Sequence, residues 1–478
     1  MKNLSQKINF NFIIQLIGRI VSVILGVIIV GLIMRYLAPE EYGYYSIALA
    51  YLQIFGIIAD FGIYLLSLDY LGEIDKEPDI IIRKKKSFSF FEKIFTLRFF
   101  SAFFFYGLSA ILVFIFPWPI IVKLAVLILS LSFFFLTLTQ TLSAYWQKQF
   151  NAILLAIGEI IGKIILFFII IFLIHRQASF YWTIAAFAFG SFSQFLILIL
   201  PLLAKKFHFS FDIPLFKEII NRAWPIGLAI ILNTLYFKAD TLILSFYQPP
   251  IDVGLYGATY RILEVIITLP PLFLGLVLPK IAEFRAKNNL EGFKKTLQKS
   301  FDFLSLIALP IVIGTQILGE KIMVLIGGEN FAASGNILRI VILASGVLFI
   351  AELFKQLVIV LKEEKNILKF YLITTIFALI SYFILIPRFS YWGAAWATVA
   401  SESLMFIFLL FFIKKKINFL PNLNFLLKSF LSCLVMFIFL KLAYNLNIFV
   451  LIISGAMIYF LSLYLLKVMN RADREFRV

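Results

Sequence analysis

The chain has 478 residues, of which 62% are apolar and 14% charged, and its mean hydropathy is +1.00. A soluble domain carries about a quarter charged residues, so a soluble globular fold is excluded. The net charge is +17, with one cysteine and two histidines, which leaves no intramolecular disulfide, no cysteine-built metal site and no HExxH pair.

Apolar runs long enough to cross a bilayer recur along the whole chain. The first, over 10–33, is too long for a signal-peptide core and has no small-residue cleavage site behind it. It reads as a retained span and carries Arg19. The turn YLAPEEYGYY (36–45) follows, and a second span over 43–69 carries Asp60. Spans over 92–116, 120–145, 152–174 and 180–203 come next, with Arg98 in the third and Glu159 and Lys163 in the fifth. IGEIIGK (157–163) has three residues between its glycines rather than four and lacks the following Ser or Thr. It is therefore rejected as a phosphate loop, and Gly158 and Gly162 read as a GxxxG helix contact. Trp224-Pro225 opens the seventh span (223–246), which carries Lys238 and Asp240. YQPPIDVGLY (247–256) leads into the eighth (254–279), which holds Arg261 and Glu264 and is broken by Pro270-Pro271. Spans over 300–318, 337–361, 367–386, 392–413, 425–440 and 448–466 bring the total to fourteen; Glu352 and Lys355 lie in the tenth and Glu402 in the twelfth.

Basic residues choose the sides. Alternate loops hold Arg83-Lys84-Lys85-Lys86, Lys148, Lys205-Lys206-Lys217, a five-residue set from Arg285 to Lys299, Lys362-Lys365-Lys369, Lys414-Lys415-Lys416-Lys428 and the tail Lys467-Arg471-Arg474-Arg477. The opposite set offers Arg35, Arg176, Lys321, Arg388 and Lys441. The positive-inside rule then places both termini in the cytoplasm and the chain in the cytoplasmic membrane. It also accounts for most of the +17 without nucleic acid, with anionic headgroups as neighbours. Trp118, Trp146, Trp182, Trp224 and Trp392 fall at span ends, where an amphipathic ring prefers to sit. With no large loop on either side, the function is expected inside the bilayer, with no cofactor.

Two echoes organise the chain. Tyr36, Pro39, Gly43 and Tyr45 recur as Tyr247, Pro250, Gly254 and Tyr256; FYWTIAAFAF (180–189) recurs as SYWGAAWATV (390–399). The offsets, 211 and 210 residues, are nearly equal, and each echo keeps its topological slot. The reading is an all-α polytopic membrane protein: a lobe over 1–206, a second over 207–416, each of six helices in parallel repeat around a central cavity, and two further helices over 417–478.

Ionisable side chains inside these spans cost roughly 2.5–3.5 kcal/mol each at a helix centre, which calls for pairing, burial or water. Asp60 and Glu402 have no near-sequence partner, and with Glu159 they are the expected sites for a coupling Na+ or proton. Pro225, Pro270 and Pro271 are the expected hinges.

At this point the chain resembles the polysaccharide transporters of the multidrug/oligosaccharidyl-lipid/polysaccharide exporter superfamily, the group containing O-antigen flippases. The residues that carry the resemblance are GRIVSVILGVIIVGLIMRYLAPEEYGYYSIA (18–48), KADTLILSFYQPPIDVGLYGATYRILE (238–264), the LPK at 278–280 and YWGAAWATVASE (391–402). It implies a V-shaped pair of bundles that moves an undecaprenyl-diphosphate-linked oligosaccharide from inner to outer leaflet by alternating access. Arg19, Arg98, Lys163, Lys238 and Arg261 are then the expected diphosphate contacts, since guanidinium and ammonium groups suit phosphate oxygens. Arg261 matches an arginine of the lipid II flippases, whereas Asp60 stands in the second span, where those flippases carry an arginine. The expected partners are a lipid-linked glycan, membrane lipids, Na+ or H+ and glycan-assembly enzymes, with the chain a monomer. The alternatives are a cation-coupled multidrug exporter, a lipid II flippase and, from another class, a membrane glycosyltransferase or polymerase, for which Glu40-Glu41 is the acidic pair. A transporter, not an enzyme, is the expectation.

Overall fold

The computed structural model describes residues 2–149, 151–205 and 207–466, with side chains from residue 14 onward. Lys206, the tail residues Lys467, Arg471, Arg474 and Arg477, and the side chains of Lys2 and Lys7 lie outside the described residues. Hydrocarbon offers no hydrogen bonds, so a spanning backbone must satisfy itself. Accordingly, the described residues contain helices and no strand: α1 (Lys2–Asp60), α2 (Ile63–Ile74), α3 (Ile80–Leu112), α4 (Ile120–Lys148), α5 (Ala152–His175), α6 (Phe180–Leu203), α7 (Ile213–Tyr247), α8 (Pro250–Ile266), α9 (Leu269–Ala286), α10 (Leu290–Gly327), α11 (Ser334–Leu361), α12 (Glu364–Ile417), α13 (Asn424–Leu442) and α14 (Ile448–Leu465).

Among the described residues, twelve continuous segments are long and apolar enough to cross a membrane, against the fourteen spans expected. The difference lies in Ile14–Ile74 and Glu364–Ile417, of 61 and 54 residues. About 20 residues suffice for one crossing, so each is long enough for two. Within them α1 and α12 each carry one non-helical residue, Ala38 (φ 56°) and Ser390 (φ 50°), where the sequence places a turn. Several helices also outrun their apolar cores. α3 begins at Ile80, so Arg83 to Lys86 are helical, and Asp79 caps it by accepting from the N–H groups of Ile81 and Ile82 at 2.7 and 3.1 Å. α7 begins at Ile213, capped by Asp212, so Pro225 lies within a helix rather than opening one. Hydropathy marks where lipid ends, whereas lysine and arginine extend a helix readily into water.

The chain divides into two compact units, the first ending at Gly254 and the second beginning at Leu255. In the first, α1 packs on α3, α4, α5 and α7, and α6 packs on α4 and α5. Gly158 and Gly162 are buried on α5, and a Cβ on Gly162 would stand 3.0 Å from both the Gly190 carbonyl oxygen and the Gln194 Cβ of α6. The GxxxG reading as a close helix contact therefore holds. In the second unit, α10 packs on α9, α11 and α13, and α11 on α12. α13 and α14 are fastened to α10 through Leu318, Cys433, Met436, Leu440, Leu451, Tyr459 and Leu463.

The echoes recur as contacts. In the first unit the Tyr45 ring stacks on Phe187 with centroids 5.3 Å apart, and Tyr36 Oη donates to the Ala178 carbonyl at 2.5 Å. In the second, the hydroxyls of Tyr256 and Thr398 lie 3.5 Å apart, and Tyr260 and Tyr382 also reach Thr398 Oγ1, at 3.0 and 3.3 Å. One 211-residue offset relates Tyr45 to Tyr256 and Phe187 to Thr398. Each copy of the turn thus places its tyrosine against a residue 142 positions further along the chain. The two glycines of the turns also meet: a Cβ on Gly43 would overlap the Pro250 carbonyl, and one on Gly254 the Pro39 carbonyl. Trp118 and Trp146 stand beside the two ends of the Ile120–Lys148 segment, as expected. Both are buried, and their indole N–H groups donate to Ser245 Oγ (3.0 Å) and the Leu198 carbonyl (2.9 Å), so protein groups satisfy them there.

Gly254→Ala is expected to cost about 1–3 kcal/mol through overpacking against backbone and to lower Tm in detergent; Gly107→Ala, with nothing within 4 Å of the added methyl, should hold or raise it. Lys93 Nζ lies 2.8 Å from Asp212 Oδ2, and this bond, with that from the Leu215 N–H, holds the Asp212 carboxyl below its ordinary value near 3.8. A depressed carboxyl stabilises the fold above its unfolded value and loses that contribution as pH falls through the folded value. Melting curves recorded down the acid limb should therefore fall less steeply for Asp212→Asn than for the parent chain.

Candidate functional site

A cavity of about 840 Å³ opens inside the first unit. Its walls come from α1, α2, α3, α4, α5, α6 and α7, and its charged lining residues are Arg19, Asp60, Glu159, Lys163 and Lys238. Amides and hydroxyls supply most of the remaining polarity: Gln53, Gln140, Gln194, Asn233, Thr137 and Tyr106. Five of the eight residues expected at cargo and ion sites thus share one space. Three cations face two carboxylates there.

One wall is a charge cluster between α1 and α5. Arg19 Nη1 lies 3.0 Å from Glu159 Oε1, and Ser22 Oγ donates to the same oxygen at 2.6 Å. Lys163, one turn beyond Glu159, donates instead to the Ser22 carbonyl at 2.7 Å. Glu159 thus takes its arginine from another helix. Arg19 keeps 47% of its side-chain surface exposed.

Asp60 has a different setting. α1 ends there, Phe61 and Gly62 take positive φ (44° and 79°), and α2 begins at Ile63. The Asp60 carboxylate accepts from the Gly62 N–H (3.2 Å) and the Tyr64 N–H (3.4 Å), serving the first amides of α2. Arg98, 1% exposed, lies 3.0 Å from Asp60 Oδ1 and donates to the Ala59 carbonyl at 2.8 Å. Thr141 and Gln140 take weaker bonds from it at 3.4 Å. Asp60 therefore has a long-range partner that its sequence neighbourhood did not reveal. Arg98 does not line the cavity; it holds the carboxylate that does. The break also packs on α7, where Gly227 is so close that a Cβ there would stand 2.6 Å from the Phe61 carbonyl oxygen. Pro225 is two residues away.

The other expected site residues belong to the second unit. Arg261 lies 2.7 Å from Glu264 on the next turn of α8, with a quarter of its surface exposed. Glu402 on α12 is 1% exposed and acts electrostatically on Lys355 of α11. Helix is interrupted at 267–268, between α8 and α9, and Pro270 and Pro271 fall in the first turn of α9, as their missing N–H groups favour. No group of three or more His, Cys, Asp or Glu side chains fit to hold a metal occurs among the described residues.

The sequence reading missed the uncharged lining. Gln140, Gln194 and Asn233 sit within apolar spans, where an unpaired amide is costly; that cost was the available signal.

The family model described as polysaccharide biosynthesis protein matches residues 32–336, more than half of the chain. Among curated proteins, the probable flippase AglR of Haloferax volcanii is 26% identical over 207 residues, covering 41% of this chain and 42% of that protein. The capsular polysaccharide biosynthesis protein CapF of Staphylococcus aureus is 26% identical over 212 residues, covering 44% and 53%. The chain spans about half the length of the curated relatives it matches. Among solved structures, an inward closed conformation of the lipid II flippase MurJ aligns with a TM-score of 0.79 at 18% identity, over 96% of this chain and 99% of that one; at that identity the likeness concerns the fold. This multi-pass membrane chain belongs to the polysaccharide biosynthesis protein family.

Proposed function

We propose that this protein is a flippase for a lipid-linked oligosaccharide, carrying an anionic, undecaprenyl-diphosphate-type headgroup from the inner to the outer leaflet of the cytoplasmic membrane by alternating access. The observation that carries the proposal is the cavity: about 840 Å³ of space lined by three cations, two acids and a set of amides and hydroxyls, within helices that are otherwise apolar. A phosphorylated sugar crosses hydrocarbon only if something replaces its water. Lysine and arginine do this for phosphate oxygens; Gln, Asn and Thr do it for sugar hydroxyls. The names of the relatives, a flippase and a capsular polysaccharide biosynthesis protein, point the same way. A drug exporter for cationic cargo would need acids in excess, and here the bases outnumber them. A glycosyltransferase would have no use for the repeated halves, so the chain is read as a transporter.

Arg19, Lys163 and Lys238 are the proposed phosphate contacts. Arg98 is reassigned to positioning Asp60, and Arg261 is kept as a contact from the second unit because its bond to Glu264 leaves part of it accessible. Asp60 and Glu159 are the proposed exchange sites for a coupling proton or Na+; Glu402 keeps that role in the second unit. Pro225 and the 267–268 break are the proposed hinges. Both termini are assigned to the cytoplasm.

Lys163→Gln should slow the appearance of lipid-linked glycan on the outer leaflet roughly 10- to 100-fold, the worth of one charge-assisted hydrogen bond of about 1.5–3 kcal/mol. Labelling intact cells with an impermeant glycan probe measures this, with the amount of inserted protein held equal. Parent-level labelling would remove the cavity from the transport route.

Arg98→Ala is expected to cost about 3–5 kcal/mol by leaving the Asp60 carboxylate without its buried partner. The double variant Asp60→Asn, Arg98→Gln should recover most of the lost Tm. A double variant no more stable than Arg98→Ala would show that Arg98 does more than hold Asp60.

A further inference from the structure

Residues 207–212, FHFSFD, lead from α6 into α7 without forming helix, and they lie along α3. This strap alternates. Its aromatic residues pack on those of α3: Phe207 on Phe95 and Phe209 on Phe99, each with centroids 5.1 Å apart, and Phe211 on Phe100 at 5.2 Å. The polar residues between them are pinned. The His208 N–H donates to Glu92 Oε1 at 3.2 Å, and His208 Nδ1 lies 3.0 Å from the same oxygen. The Ser210 N–H donates to Thr96 Oγ1 at 2.9 Å, and Asp212 Oδ2 lies 2.8 Å from Lys93 Nζ. An extended segment has no internal hydrogen bonds, so its covered donors need such acceptors.

The pins are unequal. Phe209 and Phe211 are 47% and 66% exposed, so their rings are only partly covered. The Lys93–Asp212 pair is also partly exposed, and such pairs contribute little. The Glu92 side chain, by contrast, is 6% exposed. A carboxylate buried to that extent needs hydrogen-bond partners, and His208 supplies two. Bonds to an ionised acceptor are the strong ones. The end of the strap is also the start of α7, because Asp212 accepts from the Leu215 N–H at 3.0 Å. Further along, Ile219 and Ala223 bury against residues of α2 and α3. Past Pro225, the same helix brings Asn233, Thr234 and Lys238 to the cavity wall. The second unit repeats the device. Gln298 of α10 donates to the Asn422 carbonyl at 3.0 Å and accepts from the Asn422 N–H at 2.8 Å, and Asn422 Oδ1 accepts from the Asn424 N–H where α13 begins. Asp212 and Asn422 are 210 positions apart, the offset of the second echo.

We propose that Glu92 is a positioning residue for the cavity of the first unit. It docks the strap on α3, the docked strap fixes the foot of α7, and the foot sets where α7 presents Asn233, Thr234 and Lys238. With the dock lost, α7 turns about Pro225 and these residues lose their fixed place. The inference rests on the flippase reading only in taking this cavity as the transport route.

The test compares the full chain with Glu92→Ala and Glu92→Gln in detergent. Hydrogen exchange of the strap and the first turn of α7, read by mass spectrometry, should speed up about tenfold in Glu92→Ala, the loss of one charge-assisted bond. In Glu92→Gln, whose amide oxygen still accepts from the 208 N–H, it should stay within about threefold of the parent. Spin labels at the exposed positions Phe104 of α3 and Leu228 of α7 should give a broader distance distribution with Glu92→Ala than without it. In cells with equal amounts of inserted protein, Glu92→Ala should slow the appearance of glycan on the outer leaflet about tenfold, as misplaced contacts do, and Glu92→Gln should restore most of the rate. If Glu92→Ala does not fold, the double variant His208→Ala, Lys93→Gln, at positions that reach solvent, takes its place with the same expectations. Unchanged strap exchange would overturn the assignment. So would faster exchange with unchanged spin-label distances or parent-rate labelling, and so would equal losses in Glu92→Gln. A parent chain that delivers no glycan would overturn the flippase reading alone; strap exchange and the spin-label distances would then decide the positioning role.

Discussion

An ionised side chain or an open backbone group inside hydrocarbon must meet a partner or water, and the first unit is organised around that requirement. At 61–62 the backbone leaves helical geometry. Asp60 serves the amides that follow, while Arg98 binds both that carboxylate and the Ala59 carbonyl. One buried guanidinium thus closes a helix end and fixes an acid at the cavity wall. The Arg19–Glu159–Ser22–Lys163 cluster works similarly, joining α1 to α5 through groups that neither helix could carry alone.

Both clusters contribute polar groups to the lining of the cavity. Their partners come from different helices, so the cavity depends on how those helices are packed. Close approaches without side chains set that packing. Gly162 against Gly190 brings α5 and α6 together, and Gly43 against Pro250 joins the two echoing turns. Pro225 lies next to the 61–62 break, so two weak points of the helical scaffold coincide. A change of angle in α7 would act on the segment that presents Asp60.

Much of the architecture was legible. Apolar length revealed the spans, and the Tyr-Pro-Gly-Tyr echo marked positions whose contacts recur as Tyr45 on Phe187 and Tyr256 on Thr398. Helix ends were less legible. α3, α7 and α10 extend past their hydrophobic stretches because charged residues are good helix formers, and hydropathy cannot register a helix in water. The capping residue Asp212, with Pro214 two residues later, was a readable start signal for α7. Trp118 and Trp146 fall at span ends as the sequence places them, but their burial was not legible, because an indole N–H is satisfied equally by a headgroup or by a neighbouring helix.

For the site, the sequence by itself determined the inventory: which charges lie in apolar spans, that bases at least equal acids there, and that glycines and prolines mark close contacts and breaks. These follow from local composition, because the penalty for a charge in lipid depends on the charge and its depth. Pairing was decided only by the tertiary structure. Asp60 and Arg98 are 38 positions apart, Arg19 and Glu159 are 140, and an ion pair is formed by spatial proximity, which sequence separation does not report. The same physics gave Arg98 the Asp60 carboxylate and the Ala59 carbonyl as partners and gathered Gln53, Gln140, Gln194 and Asn233 around a space that no single helix contains.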